Sequence, residues 1–161
     1  MTETWDDRVA RVWAEAEQLG DDDVLARIDA LVAERGQADA AAAFEAASVR
    51  DYLGHEAEAA PLYRRALDSG LVGPRRPQAT IQLASTLRTL GRHDEALELL
   101  EQHLAEHDDD EWTAPAAAFL ALTLASAGRE REAASVALVA LSDTLPAYAG
   151  AVRRYALQLR R

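Results

Sequence analysis

Three segments of this 161-residue chain answer one another: Leu53-Gly54-His55-Glu56-Ala57-Glu58-Ala59, Leu90-Gly91-Arg92-His93-Asp94-Glu95-Ala96 and Ala127-Gly128-Arg129-Glu130-Arg131-Glu132-Ala133. Each contains Gly-x-x-x-Glu-Ala, and the glycines fall 37 residues apart both times. A spacing kept twice confines the chain to architectures in which one supersecondary unit is stacked on itself. The unit reads as helix, tight turn, helix. Glycine tolerates the left-handed conformation that ends a helix, so it marks where the first helix (A) stops. The polar residues after it open the second helix (B), where Glu is favoured beside the positive N-terminal end. The Ala that follows is small because the two helices approach closely there.

Apolar residues continue this reading at helical spacing. Leu83, Ala84 and Leu87, and then Leu120, Ala121 and Leu124, form the inward stripe of an A helix before their glycines. Tyr63 and Ala66, Leu100, and Ala137 and Ala140 form the matching stripe of the B helices. Alanine fills 36 positions, and it is the strongest helix former because ordering it costs no side-chain entropy. Val and Ile are sparse, which argues against a β-rich fold. The alanine excess, and basic residues that are all arginine, suggest a GC-rich bacterial genome and say nothing of function.

Ahead of the three units, Leu19-Gly20 lies 34 residues before Gly54. It reads as the turn of a divergent helix pair over residues 1–36, with Asp21 suited to cap the following helix. Behind them, Tyr148, Val152, Tyr155 and Leu159 make one apolar stripe over residues 147–161, with Arg153, Arg154 and Arg160 off it. A stacked array needs such a helix to cover its last repeat. The expectation is one domain over residues 1–161: an N-terminal helix pair, three repeats over 40–146 and a C-terminal capping helix.

These residues resemble the tetratricopeptide repeat family. Its pattern of about 34 residues sets a small residue eighth, Gly fifteenth, Ala twentieth, an aromatic or apolar residue twenty-fourth and Ala twenty-seventh. Ala47, Gly54, Ala59, Tyr63 and Ala66 fit in the first unit. Ala84, Gly91, Ala96 and Leu100 fit in the second, where His103 replaces the last alanine. Ala121, Gly128, Ala133, Ala137 and Ala140 fit in the third. The large aromatic early in helix A is missing. Each period also carries three extra residues, which belong in B-to-A connections such as Ser69 to Pro74 and His107 to Glu111. The resemblance implies an all-α, right-handed solenoid of helix-turn-helix repeats, with about nine helices including the terminal caps.

It also implies a protein–protein interaction module whose A helices line a concave groove. Carried over position by position, the partner-binding residues are Phe44, Ser48, Asp51 and Tyr52, then Gln78, Gln82, Ser85, Arg88 and Thr89, then Phe119, Leu122 and Ser126. Ile81 and Ala118 fall at groove positions too. Members that grip a chaperone's C-terminal carboxylate use Lys and Asn, then Asn, then Lys and Arg. Here Phe44, Ser48, Gln82, Pro115 and Phe119 stand instead, so that clamp is not expected. The alternative is a self-associating scaffold, a homodimer that buries the groove or the end helices, with Trp5, Trp13 and Tyr155 as anchors.

A net charge of −11 argues against nucleic acid, where affinity comes mainly from neutralised phosphates. The charge is banded: residues 61–92 hold Arg64, Arg65, Arg75, Arg76, Arg88 and Arg92 against Asp68 alone, between two acidic regions. Such a band suits an acidic peptide or the acidic surface of a second copy. The absence of cysteine removes disulfides, thiolate metal sites and cysteine nucleophiles. With an amphipathic first helix and no apolar run near ~18 residues, neither a signal peptide nor a membrane span is expected, and a cytoplasmic location is the default.

His103-Leu104-Ala105-Glu106-His107 matches H-x-x-E-H, an inverted zinc-protease signature that sets two imidazoles one turn apart. The string sits at the end of a B helix, where the repeat accounts for its positions, so no metal or cofactor is expected. Asp108 to Glu111 lacks the alternating ligands and central Gly of a calcium loop. With no nucleophile elbow and no phosphate loop, the sequence reads as a binding protein and not an enzyme.

Overall fold

The computed structural model describes residues 3–36, 38–107 and 110–160, and among them every regular element is a helix. The order is α1 (Trp5–Glu15), a 3-10 turn (Ala16–Gln18), α2 (Asp21–Arg35), α3 (Ala40–Tyr52), α4 (Glu56–Asp68), α5 (Arg75–Thr89), α6 (His93–Glu106), α7 (Thr113–Ser126), α8 (Glu130–Ser142) and α9 (Ala149–Gln158). The three repeats are thus α3–α4, α5–α6 and α7–α8. Ser69 to Pro74 joins α4 to α5, the connection in which the extra residues were expected. Asp108 and Asp109, in the next such connection, lie outside the described residues. The chain divides into two compact units, Met1–Ala79 and Thr80–Arg161.

The three motif glycines all adopt the left-handed conformation, with φ of 75°, 74° and 75° at Gly54, Gly91 and Gly128. Each closes its A helix in the same way. The glycine N–H bonds the carbonyl three residues back, and the next N–H bonds the carbonyl five back, as in His55 to Arg50 at 2.8 Å and Arg92 to Leu87 at 2.8 Å. This double closure satisfies carbonyls that the helix end leaves orphaned. The residue after glycine then takes nearly one conformation three times, φ −99° and ψ 55° at His55, −89° and 57° at Arg92, −107° and 53° at Arg129. The Glu of the motif follows three residues later. Where the N-cap is arginine the two form a fork: Arg92 donates from Nε and Nη2 to Glu95 at 2.6 and 2.6 Å, and Arg129 to Glu132 at 2.7 and 2.8 Å. The motif alanines Ala59, Ala96 and Ala133 are buried.

Gly20 differs. Its backbone is extended, with φ −74° and ψ 156°, and Gly20 itself occupies the N-cap of α2. Asp21 is the first helical residue and not the cap, so this turn is not a fourth copy of the motif. Its three aspartates still stand in the first turn, where the helix dipole favours them.

In the first unit, α1, the 3-10 turn and α2 pack Val9, Val12, Ala16, Val24, Ile28 and Leu31 against Val49 of α3. Thr4 and Asp7 form a capping box at the start of α1, and Asp39 caps α3 through the Ala42 N–H at 2.8 Å. Helix α3 is buried without interruption from Ala42 to Val49. Four of those eight residues are alanines, which lets neighbouring helices approach on more than one side.

In the second unit the A-helix stripes are buried as the spacing predicts: Leu83, Ala84 and Leu87 on α5, Leu120, Ala121 and Leu124 on α7. The last B helix departs from the pattern. Tyr63 and Leu100 are fully buried at the twenty-fourth position of their repeats, but Ala137, at the same position of α8, is exposed. Helix α9 does pack on α8, through Val152, Ala156 and Leu159. Arg160 Nε donates to Ser135 Oγ at 3.0 Å and Arg131 Nε to the Leu159 carbonyl at 3.3 Å. The expected stripe is corrected in two members: Tyr148 is 82% exposed and Tyr155 59% exposed. Tyr155 lies a quarter-turn off the inward line of Ala156, and Tyr148 is the N-cap, outside the helix.

Candidate partner-binding faces

The groove positions of the first unit split into buried and presented residues. Phe44 is 5% exposed, its ring tilted against that of Tyr63 at 6.1 Å. Ser48 is buried and donates to the Phe44 carbonyl at 2.9 Å. Neither side chain is presented to a partner, because α3 is enclosed along this stretch. One turn further on the helix emerges. Tyr52 is 51% exposed and meets Trp13 edge-on, with centroids 5.8 Å apart and planes at 77°. Asp51 is half-buried and accepts from the Tyr63 hydroxyl at 3.3 Å. Burial pushes the Tyr63 phenol well above its ordinary pKa, with Asp51 nearby adding to the rise, so Tyr63 remains a donor. Gln78, in the first turn of α5, is half-buried.

In the second unit one pair of the predicted residues of α5 and α7 meets. Arg88 Nη1 lies 3.5 Å from Ser126 Oγ, tying the end of α5 to the end of α7. Gln82, Ser85 and Arg88 are half-buried, while Thr89, Leu122 and Ser126 are exposed, Leu122 at 51%. Thr89 turns its hydroxyl back to the Ser85 carbonyl at 3.2 Å. Two atoms here are buried without an internal hydrogen bond, Gln82 Oε1 and Arg88 Nε. A buried polar atom without a partner is costly, so the fold leaves these two side chains incompletely satisfied. Phe119 is half-buried beside it, and Ile81 is core.

Sequence reasoning passed over the most buried carboxylate. Glu45 of α3 is only 3% exposed; Trp13 Nε1 donates to its Oε2 at 2.9 Å and Arg75 Nε to its Oε1 at 3.0 Å. Arg75 also reaches Asp6 at 2.9 Å and lies over the Trp5 ring at 5.6 Å. Arg35 covers the same ring at 4.3 Å, and the Trp5 N–H donates to the Leu31 carbonyl at 2.8 Å. Both tryptophans are therefore engaged within the first unit. Desolvation raises the Glu45 pKa, while the donors Trp13 and Arg75 oppose it. The available signal was a lone acid amid alanines, inside a helix whose neighbours are all apolar.

His103 is buried at the core position the repeat gives to alanine, with Nε2 lacking a partner, and its ring is 4.9 Å from that of His107. Burial lowers its pKa, and the His107 charge adds to this. Among the described residues no group of three or more His, Asp or Glu side chains is placed to hold a metal ion. Nor is any described helix long and apolar enough to cross a membrane.

No curated protein and no solved structure matches this chain closely enough to be called a relative. The sequence model of one family, described as a tetratrico peptide repeat, matches residues 40–159. That match spans the three helix pairs, their shared glycine turns and α9. The chain belongs to the tetratricopeptide repeat family, whose members serve as scaffolds for protein–protein interaction.

Proposed function

We propose that this protein is an interaction module that holds a peptide or protein segment on its A-helix faces, with the face of α5 and α7 as the principal contact. The carrying observation is the junction of Arg88 and Ser126 at 3.5 Å beside exposed Leu122. A half-buried guanidinium, hydroxyls and a projecting leucine suit an extended segment that offers acceptors and one apolar side chain. Arginine and tyrosine are among the residues enriched at binding hot spots. In the first unit Tyr52, stiffened by Trp13, is a second and separate anchor.

The fold contributes rigidity: packed A helices present their side chains at fixed spacing, which lowers the entropy lost on binding. The chain carries no recognised nucleophile or phosphate-binding motif, and the reading is one of binding without catalysis. The net charge of −11 sets nucleic acid aside as a partner.

The test is capture of partners by the full chain beside two variants, Arg88→Glu with Leu122→Arg in the second unit and Tyr52→Ala in the first. Circular dichroism first establishes that each keeps its helicity. Loss of a captured protein with the first variant supports the α5–α7 face. Retention of every captured protein by both variants removes the A-helix reading.

A further inference from the structure

Among the described residues the last repeat ends on an incompletely covered surface. Ala137, Leu138 and Leu141 of α8 are exposed, although the Tyr63 and Leu100 counterparts of Ala137 are fully buried. On α9, Tyr155 and Leu157 are exposed as well. Tyr148 adds a backbone anomaly. It is the one non-glycine among the described residues with positive φ, at 65°, and its ring is 82% exposed. A bulky residue is strained in that conformation, and an exposed ring gives little burial in return. A shallow depression of about 380 Å³ on the outer side of α9 is lined by Gly150, Arg153, Arg154, Leu157 and Gln158. From Thr144 to Arg160 the chain carries three arginines and no acid. Arg153 reaches Asp143 at 2.9 Å and Arg154 lies over the Tyr155 ring at 5.0 Å, both in exposed arrangements that exchange readily with a partner's groups.

We infer that this basic, large-residue end docks the first helix of a second copy of the chain, head to tail. The argument is complementarity of charge and size. Residues 3–18 hold five acids, Glu3, Asp6, Asp7, Glu15 and Glu17, against Arg8 and Arg11; Glu3, Asp6 and Glu15 already pair with Arg11, Arg75 and Arg27, in exposed arrangements that a second copy's arginines can join. The exposed side of α1 sets Ala10 and Ala14 between Asp6 and Asp7 at one end and Glu17 at the other. Tyrosines and leucines on α8 and α9 meet small alanines on α1, and arginines meet carboxylates. Like pairings fail on charge: α9 against α9 gathers guanidinium groups, and α1 against α1 gathers carboxylates. Two different surfaces in contact make a heterologous interface, in which each copy offers one surface and receives the other. The A-helix faces take no part, so head-to-tail docking stands or falls separately from the function proposed above.

The experiment is light scattering and sedimentation of the full chain across micromolar to millimolar concentration. Two variants accompany it: Arg153→Glu with Arg154→Glu on α9, and Ala14→Arg with Glu17→Arg on α1 and the turn that follows it, each checked for helicity. The natural chain is expected to grow in average mass with concentration, and each variant alone to remain monomeric. Mixed in equal amounts, the two variants have one intact face each, and a 1:1 dimer that grows no further is expected. Any of three results overturns the inference: a natural chain that stays monomeric, variants that still associate, or a mixture that gives no dimer. A partner protein bound at α9 by a strictly monomeric chain belongs to the first of these.

Discussion

Glu45 joins three segments of the first unit at one carboxylate. Trp13 comes from α1, Arg75 from the start of α5 and Glu45 from the middle of α3. The two bonds satisfy both oxygens, but the surroundings still hold the carboxyl pKa above its ordinary 4.5. The folded state therefore binds a proton more readily at this site than the unfolded chain does. The favourable contribution is fully present below about pH 4.5, and it is lost as pH rises through the raised folded value. Glu45→Gln keeps an acceptor for Trp13 and has no proton to lose. Urea unfolding at a series of pH values should show the stability of the Gln variant gaining on the natural chain as pH rises above 4.5. A constant difference would mean that Arg75 fully compensates the buried charge. Glu45→Ala, which leaves Trp13 Nε1 and Arg75 Nε without their acceptor while Arg75 keeps Asp6, is expected to cost about 3 kcal/mol at neutral pH.

Among the elements, the repeat turn shows why its motif is Gly-x-x-x-Glu-Ala and not a looser pattern. Glycine supplies the left-handed residue, the double carbonyl closure fixes the exit, the Glu sits at the third helical position and the Ala lets helix B close on helix A. At Arg129 the fork with Glu132 is the largest cause raising the arginine's pKa, and it lowers that of the glutamate. Both side chains are open to solvent on one side, so the fork directs the turn more than it stabilises the fold. Gly91→Ala is therefore expected to cost about 1 kcal/mol through the strained φ, although open space surrounds the position and no clash adds to it. Thermal unfolding of the variant measures this, and an unchanged midpoint would show that the turn relaxes to another closure.

The same turns made the fold legible in sequence, since a glycine period fixes helix ends and hence helix pairing. The faces were less legible. Helical spacing predicts that Phe44 and Ser48 share a side with Tyr52, but it does not reveal that α3 is enclosed for its first turns and free only at its end. Spacing likewise assigns Ala137 and Tyr155 inward, because periodicity assumes a neighbour. The last repeat meets only part of one. Glu45 escaped for the opposite reason: its partners lie about 30 residues away on either side, and no local pattern connects them.

At the scale of the whole molecule charge dominates, with 28 acids against 17 arginines. Exposed ion pairs such as Arg27–Glu15 and Arg153–Asp143 contribute little individually. The excess of acids repels itself in any compact state, and the repulsion is felt across the chain at low ionic strength. Salt screens exposed charges beyond roughly 10 Å at 0.1 M and beyond about 3 Å at 1 M. Net repulsion is long-ranged and acts through solvent, so it is screened before the contact pairs are. Raising sodium chloride from low concentration to about 0.5 M should therefore raise the unfolding midpoint. The Ala14→Arg, Glu17→Arg variant, expected to be monomeric, makes this cleaner, since association no longer contributes. Association itself should respond with the opposite sign, because arginines on α9 and acids on α1 attract. A chain whose thermal midpoint rises with salt while its average mass falls separates the two effects in one titration. A midpoint that falls would show that surface pairs outweigh the net charge and that the acidic excess is distributed without strain.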